Sequence, residues 1–276
     1  MIRIINIILI FSFVHSIGLD ALLIPSNSTQ NSLSGSGVAS QNLIGINPSV
    51  NYDLESRVGF STNSWIMDIK GNSFYYSERG YLINFISFGV DEIEVRNESP
   101  SDEPLDLIGS RIYCLSFSKS HQFSNNFSLG FATQFNYNQL FTDKTTSFSY
   151  NFGARKAVSE NIQIGLAVKN LNMSDYEFPI TYIFGISYMN QNFNSEILFD
   201  YQYSSLYDGG LNFGLIQGLG IFNINVGYSK FSDLRTTVSS GIEITFNNKY
   251  KFIYSILSIS ESNFDLVHSI GVELSL

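Results

Sequence analysis

Charge is what this chain has least of: 14% of its 276 residues are Asp, Glu, Lys or Arg, against about 25% in an ordinary soluble domain. A surface so poor in ions is ill suited to water on every side. Cysteine occurs once, which excludes an intrachain disulfide framework and a Cys-based zinc site. Five prolines and a hydrophobic share of 44% exclude disorder. Bases are outnumbered by acids, 15 to 24, so the net charge is −9. That balance excludes the basic face that a nucleic-acid partner requires. Beyond the N-terminus there is no uninterrupted apolar run of about 18–20 residues, so helical membrane spans are excluded as well. Aromatic residues are what abound: 24 Phe, 16 Tyr and one Trp outnumber all charged residues together. What remains is a single large β-domain with an oily exterior.

Residues 1–16 read as a secretory signal peptide. Arg3 supplies a basic start, Ile4–Val14 an apolar core, and Val14-His15-Ser16 a stretch compatible with cleavage. No Cys lies near that point to accept a lipid anchor. The expected destination is the bacterial outer membrane.

From about Arg57 to Leu276 the dominant signal has period two. Phe127, Leu129, Phe131, Phe135 and Tyr137 alternate with Ser128, Gly130, Ala132, Gln134 and Asn136. Phe148, Tyr150 and Phe152 oppose Ser149, Asn151 and Gly153, and Ile162, Ile164, Leu166 and Val168 oppose Gln163, Gly165, Ala167 and Lys169. Successive side chains of a strand point to opposite faces, so each segment has one oily face and one small or polar face. A soluble sandwich could alternate too. Its strands, however, have a usual length of about 5–6 residues, whereas these segments run to roughly 10–14 and a tilted membrane strand needs about 9–11. The non-oily face carries Gly, Ser, Asn and Gln rather than Lys and Glu, which suits a barrel lumen.

The segments number about 13–15. Bacterial single-chain barrels have even strand numbers, so fourteen antiparallel strands closed into a transmembrane barrel over 54–276 is the expected fold. Closure follows from lipid, where an open sheet edge leaves backbone groups unpaired. Tight turns are expected at Asn190-Gln191-Asn192, Gly218-Leu219-Gly220 and Asn247-Asn248-Lys249. Tyr137, Phe141, Tyr182, Tyr188, Tyr201 and Tyr203 are candidates for the interfacial girdles.

The stretch 17–53 breaks the alternation. Ser, Asn, Gly and Gln dominate it, yet Leu22, Leu23, Ile24, Leu33, Val38, Leu43, Ile44 and Ile46 would be poorly placed in water. A plug inside the lumen would give them neighbours. Ile24-Pro25-Ser26-Asn27-Ser28, Gly35-Ser36-Gly37-Val38-Ala39 and Gly45-Ile46-Asn47-Pro48-Ser49 resemble the N-terminal signature of the PorV/PorQ family of FadL-like outer-membrane barrels. In that signature a glycine-rich turn precedes an Asn-Pro-Ala element, with Ser49 here in place of the Ala. Ile164–Leu171, Asn223–Tyr228 and His268-Ser269-Ile270 are similar to later strand motifs of the family. The resemblance implies a plug motif of Pro25, Gly35, Gly37, Asn47 and Pro48. It also implies a non-enzymatic role in protein export and surface attachment of the type IX kind, through contacts with secretion proteins or exported cargo. The superfamily's other habit is passive passage of a hydrophobic small molecule, and a simple porin-like or structural barrel is a third reading.

No catalytic constellation, metal site or cofactor motif emerges. The histidines, His15, His121 at an expected turn and His268, share no ligand spacing, and neither a Gly-x-Ser-x-Gly elbow nor a phosphate loop is present. Cys114 alternates with Tyr113 and Leu115 and is expected inside. Parity also places Arg155, Lys169, Glu196, Asp200, Glu243 and Glu273 on the lumen side. There they could pair with one another and anchor the plug, or form a selectivity ring. Asp91, Glu92, Glu94, Glu98, Asp102, Glu103 and Asp106, with two prolines among them, read as a long acidic extracellular loop. The last strand, with His268, Ile270, Val272, Leu274 and Leu276 on its oily face, is the part read by the barrel-assembly machinery. The remaining expected partner is the lipid itself.

Overall fold

The computed structural model describes residues 25–50, 56–65, 69–95, 104–140, 143–172, 179–205, 207–232, 235–260 and 266–276. The signal segment, Leu22–Ile24, Phe141, Glu98, Asp102 and Glu103 lie outside these residues, as does the side chain of Glu92.

Fourteen strands follow one another: β1 (Arg57–Ser64), β2 (Lys70–Glu78), β3 (Tyr81–Val95), β4 (Asp106–Ser124), β5 (Phe127–Leu140), β6 (Asp143–Ala157) and β7 (Ile162–Asn172), then β8 (Thr181–Asn190), β9 (Ser195–Ser204), β10 (Tyr207–Leu219), β11 (Phe222–Phe231), β12 (Thr236–Phe246), β13 (Tyr250–Ile259) and β14 (Val267–Ser275). Each pairs with its sequence neighbours, and β1 pairs with β14 from Arg57↔Ser275 to Ser64↔His268 to close the barrel. This is the all-β antiparallel barrel that the alternation predicts.

The alternation sorts the side chains as the pleat requires. Phe131, Phe152, Leu166, Phe184 and Phe213 face outward and are 41–52% exposed, while Ser149, Asn136 and Asn225 face inward and are buried. His268 faces outward, where Nδ1 lies 2.8 Å from the hydroxyl of Tyr254. Cys114 is buried in the wall.

The two barrel ends differ. At one, hereafter the turn end, the connections are tight: both residues of Arg79-Gly80 and of Asn247-Asn248 have positive φ, the conformation of a type I′ hairpin that matches strand twist. The turn after β8 covers 191–194 and that after β10 covers 220–221, each slightly later than the alternation suggests. The longer connections lie at the other, the loop end.

Strand lengths run from 8 residues in β1 to 19 in β4, a wider span than the alternation suggests. β3 and β4 have 15 and 19 residues, more than hydrocarbon needs. Asp91, Glu94 and Asp106 therefore stand on strands, not in an acidic loop, and His121 lies on β4 rather than at a turn. The physical reason is pairing: Ile93↔Ile108, Glu94↔Leu107 and Val95↔Asp106 continue the ladder beyond a bulge at Val90/Ile93. Asp91 meets Arg111 there at 2.8 Å.

The buried core lies in the lumen. Residues 25–50 form a compact segment that opens with a short helix, α1 (Ser28–Ser32), capped by Asn27, whose Oδ1 accepts the Gln30 N–H at 2.9 Å. Leu33, Val38, Leu43 and Ile46 pack with Ala167, Ile183 and Leu198 of the wall. Polar bonds fix the same segment to strands around the circumference. Ser28 meets Ser269 at 2.6 Å, Ser34 meets Ser239 at 2.8 Å, and Ser128 donates to the Ser49 carbonyl at 2.8 Å. Asn47 Nδ2 donates to the backbone carbonyls of Ala154 and Leu166, each at 3.2 Å.

Glycines make this fit possible. A Cβ on Gly130 would stand 2.0 Å from the Pro48 carbonyl oxygen, and one on Gly165 2.3 Å from that of Val38. Gly214 and Gly227, paired in register, back onto Ser36 and Leu33 in the same way. The wall is thinned where the segment touches it. Overpacking typically costs about 1–3 kcal/mol, and here the obstacle is backbone. Gly165→Leu is expected to dislodge the segment while the barrel stays closed. New protease cleavage between residues 25 and 50, with the barrel's heat-modifiable gel shift retained, would be the readout.

Candidate functional site

The luminal segment divides the barrel interior into two chambers. The one toward the turn end has a volume of about 420 Å³ and reaches Asn194, Gly218 and Asn248 near the tight connections. The one toward the loop end has about 250 Å³ and reaches Trp65, Phe231 and Ile259. Asn27, Asn42 and Ile44 of the segment face the first, whereas Pro25, Gly45, Ile46 and Pro48 face the second.

The turn-end chamber is ionic. Glu273 of β14 lies 3.7 Å from Arg57 of β1 and 3.4 Å from Lys251 of β13, and it accepts the hydroxyl of Tyr75. Glu243 of β12 lies 3.9 Å from Lys251 and accepts from Asn225 at 3.0 Å, from Asn223 at 3.3 Å and from Thr29 of the segment at 3.2 Å. Glu196 lines the same chamber, as does Asn42 of the segment. Arg155 donates to Gln163 at 3.0 Å and to Gln41 at 3.4 Å. Arg57, Lys251 and Tyr75 were not singled out in the sequence, although parity marks them: Lys251 alternates with outward Tyr250 and Phe252. Lys251 meets Glu273 across the β13–β14 ladder, whereas Arg57 and Tyr75 reach that carboxylate only because β1 closes onto β14.

Asp200 works alone. Its Oδ2 accepts two backbone N–H groups, Gly37 at 2.6 Å and Val38 at 3.1 Å, at the tightest turn of the segment. Gly37 has φ of +120°, a conformation open to glycine, and that turn aims both N–H groups at one carboxylate. Lys169 lies elsewhere, on the wall of the loop-end chamber. The six inward charges are thus not one ring: Asp200, Glu243 and Arg155 bond the segment, Glu273 pairs with Arg57 and Lys251, Glu196 lines the turn-end chamber, and Lys169 stands apart.

The small, polar inward faces suggest a hydrophilic lumen without an apolar pocket, and the structure corrects this. The glycines and serines make room for the segment. The loop-end chamber is lined by Leu82, Ile86, Ile183 and Leu257 as well as by carboxamides and hydroxyls.

Four substitutions separate these anchors. Asp200→Ala leaves two buried N–H groups without an acceptor, a loss of about 1–3 kcal/mol, whereas Asp200→Asn keeps an acceptor and is expected to retain more than half of that stability. Lys251→Met leaves two carboxylates facing each other without their shared cation, which costs about 3–5 kcal/mol for a buried pair. It should exceed the effect of Thr29→Ala, about 0.5–1.5 kcal/mol. The temperature at which the folded band disappears from a cold gel ranks all four.

No protein-family profile and no curated protein matches the chain by sequence. Solved structures do match. The CymD monoaromatic hydrocarbon channel superposes with a TM-score of 0.69 at 12% identity, over 92% of this chain and 98% of that one. The Pseudomonas putida toluene transporter TodX gives 0.61 at 9% identity, over 91% and 97%. The Acinetobacter baumannii outer membrane protein Omp33 gives 0.51 at 6% identity, over 80% and 98%. The names of the first two point to channels and transport, and none of the three points to protein export. At such identities the likeness speaks to fold, and the fold is that of a bacterial outer-membrane β-barrel.

Proposed function

We propose that the protein is a passive, non-enzymatic outer-membrane conduit for small, largely apolar molecules, with the segment 25–50 as its plug. One observation carries this reading: a single lumen holds two chambers, one reaching each end, with, among the described residues, that segment between them. A structural barrel has no need of chambers at both ends. The mixed lining of the loop-end chamber supports a compact solute with an apolar body, since such pockets combine apolar walls with a few placed polar groups. The fold shared with hydrocarbon channels supports the same class of solute. In this reading the loop end faces outward, as long loops do in outer-membrane barrels. Solute enters there, and the segment must shift for it to reach the turn-end chamber. The export role implied by the N-terminal motifs is the rival, and its mark is an exported protein bound to the barrel.

Ser28 and Ser269 allow a direct test, because their hydroxyls are 2.6 Å apart across the segment–wall contact. A double substitution, Ser28→Cys with Ser269→Cys, brings two thiols within bridging range. Wild type expressed in a Gram-negative host is expected to speed entry of labelled toluene several-fold over empty vector. The oxidised double variant should abolish that gain, and a reductant should restore it. Equal entry in vector and wild-type cells would sink the conduit. Co-purification of one exported protein in its place would favour the rival.

A further inference from the structure

The two chambers differ in the sign of their charge. Three carboxylates, Glu196, Glu243 and Glu273, line the turn-end chamber beside Arg57 and Lys251. Among the described residues, no carboxylate lines the loop-end chamber, while Lys169 and Arg235 do. A chain of net charge −9 thus presents a cationic pocket at the end where solute first arrives.

Lys169 is the group that needs explaining. It stands where β7 bulges against β6, since Tyr150 pairs with Leu171 but Phe152 pairs with Val168. The bulge re-aims side chains locally, and Asn170 beside it takes a positive φ of 59°. Across the ladder on one side is Asn151, whose Oδ1 accepts the Asn170 N–H at 2.7 Å. On the other side Lys169 pairs in register with Thr181. Within the described residues its ammonium makes neither a hydrogen bond nor an ion pair. Asp200 attracts it from a distance without touching it; the Oδ2 of that carboxylate takes the Gly37 and Val38 N–H groups, and its Oδ1 has no hydrogen-bond partner among the described residues. Removing an ammonium from bulk water without a partner is costly. A structural lysine would therefore be expected beside a carboxylate, as Lys251 is beside Glu273. Among the described residues, Lys169 thus faces a chamber lined by apolar side chains, carboxamides, hydroxyls and Arg235 with no carboxylate to answer it.

We propose that the loop-end chamber is a binding site for a small organic monoanion, with its anionic head against Lys169 between Asn151 and Thr181. The apolar body lies against Ile183, Ile86 and Leu257. This assignment rests on the conduit reading and narrows it, from small apolar molecules in general to compact amphiphiles with one negative charge. A volume of about 250 Å³ suits a single-ring carboxylate.

Trp65 provides the readout. It is the one tryptophan of the chain, it lines this chamber, and it packs edge-on against Phe88 with ring centroids 6.2 Å apart. Sodium benzoate and benzamide, matched in shape and differing in charge, are titrated at pH 7 against the purified full-length protein in detergent while Trp65 emission is followed. Benzoate is expected to bind about tenfold more tightly than benzamide, as one added charge-assisted contact gives. High sodium chloride should narrow the preference, because chloride competes with benzoate for the ammonium, and Lys169→Met should erase it without altering benzamide binding. Equal affinities in wild type, a salt-insensitive preference, or a preference surviving in Lys169→Met would each overturn the assignment. The salt titration needs only wild type, so the test stands even where Lys169→Met does not fold. Benzamide binding without a preference for benzoate, together with toluene entry, removes the anion site and leaves the conduit. A benzoate preference without toluene entry does the reverse.

Discussion

The constraint on which everything else depends is the pairing of every backbone N–H and C=O in a medium that offers no alternative partner. In hydrocarbon an open strand edge costs several kcal/mol per unpaired group, so β1 must find β14, and it does so over eight register pairs. Once the sheet is closed, the pleat settles the rest. Oily residues go to lipid, and whatever is small or polar goes to a lumen that water alone could have filled. Here a stretch of the same chain occupies the middle of that lumen. Its own backbone must then be satisfied, which accounts for the density of serine, asparagine and aspartate contacts between segment and wall.

Those contacts explain why the interior charges are arranged as they are. Asp200 answers two amide donors of a glycine turn, and Glu243 answers a threonine hydroxyl together with two wall carboxamides. Glu273, with Arg57 and Lys251, knits the first and last strands together at the turn end. A single polar layer thus serves closure of the barrel and retention of the segment. Lys169 belongs to neither task.

Much of the fold was legible in the sequence because period-two alternation is local information. Phe148, Tyr150 and Phe152 declare their face without reference to any other strand. The strand number and closure followed from the same signal and the nature of lipid. The hairpin of β3 and β4 was misread because its acidic residues and prolines resemble a loop, while Ile93↔Ile108 pairing, a contact between strands, carries the ladder onward. The site was less legible for the same reason. Parity could place Glu243 and Glu273 inside, but that Lys251 joins them is a matter of register across β12, β13 and β14. The role of the inward glycines was missed altogether. In the sequence they belong with Ser and Asn to a small, polar inward face; their function depends on a segment more than eighty residues away.

The glycine-lined contact has a consequence for how such a barrel can diverge. On the lipid side one oily residue serves nearly as well as another, because fluid acyl chains impose no jigsaw. Half of each strand is therefore free to drift within a broad chemical class. Positions such as Gly130, Gly165 and Gly214 have no such latitude, since even a methyl group there meets neighbouring atoms of the segment. The architecture can thus tolerate wide change on its lipid face while its smallest inward positions stay fixed. Ancestry in such chains is better sought in the spacing of their smallest inward residues than in their abundant aromatic ones.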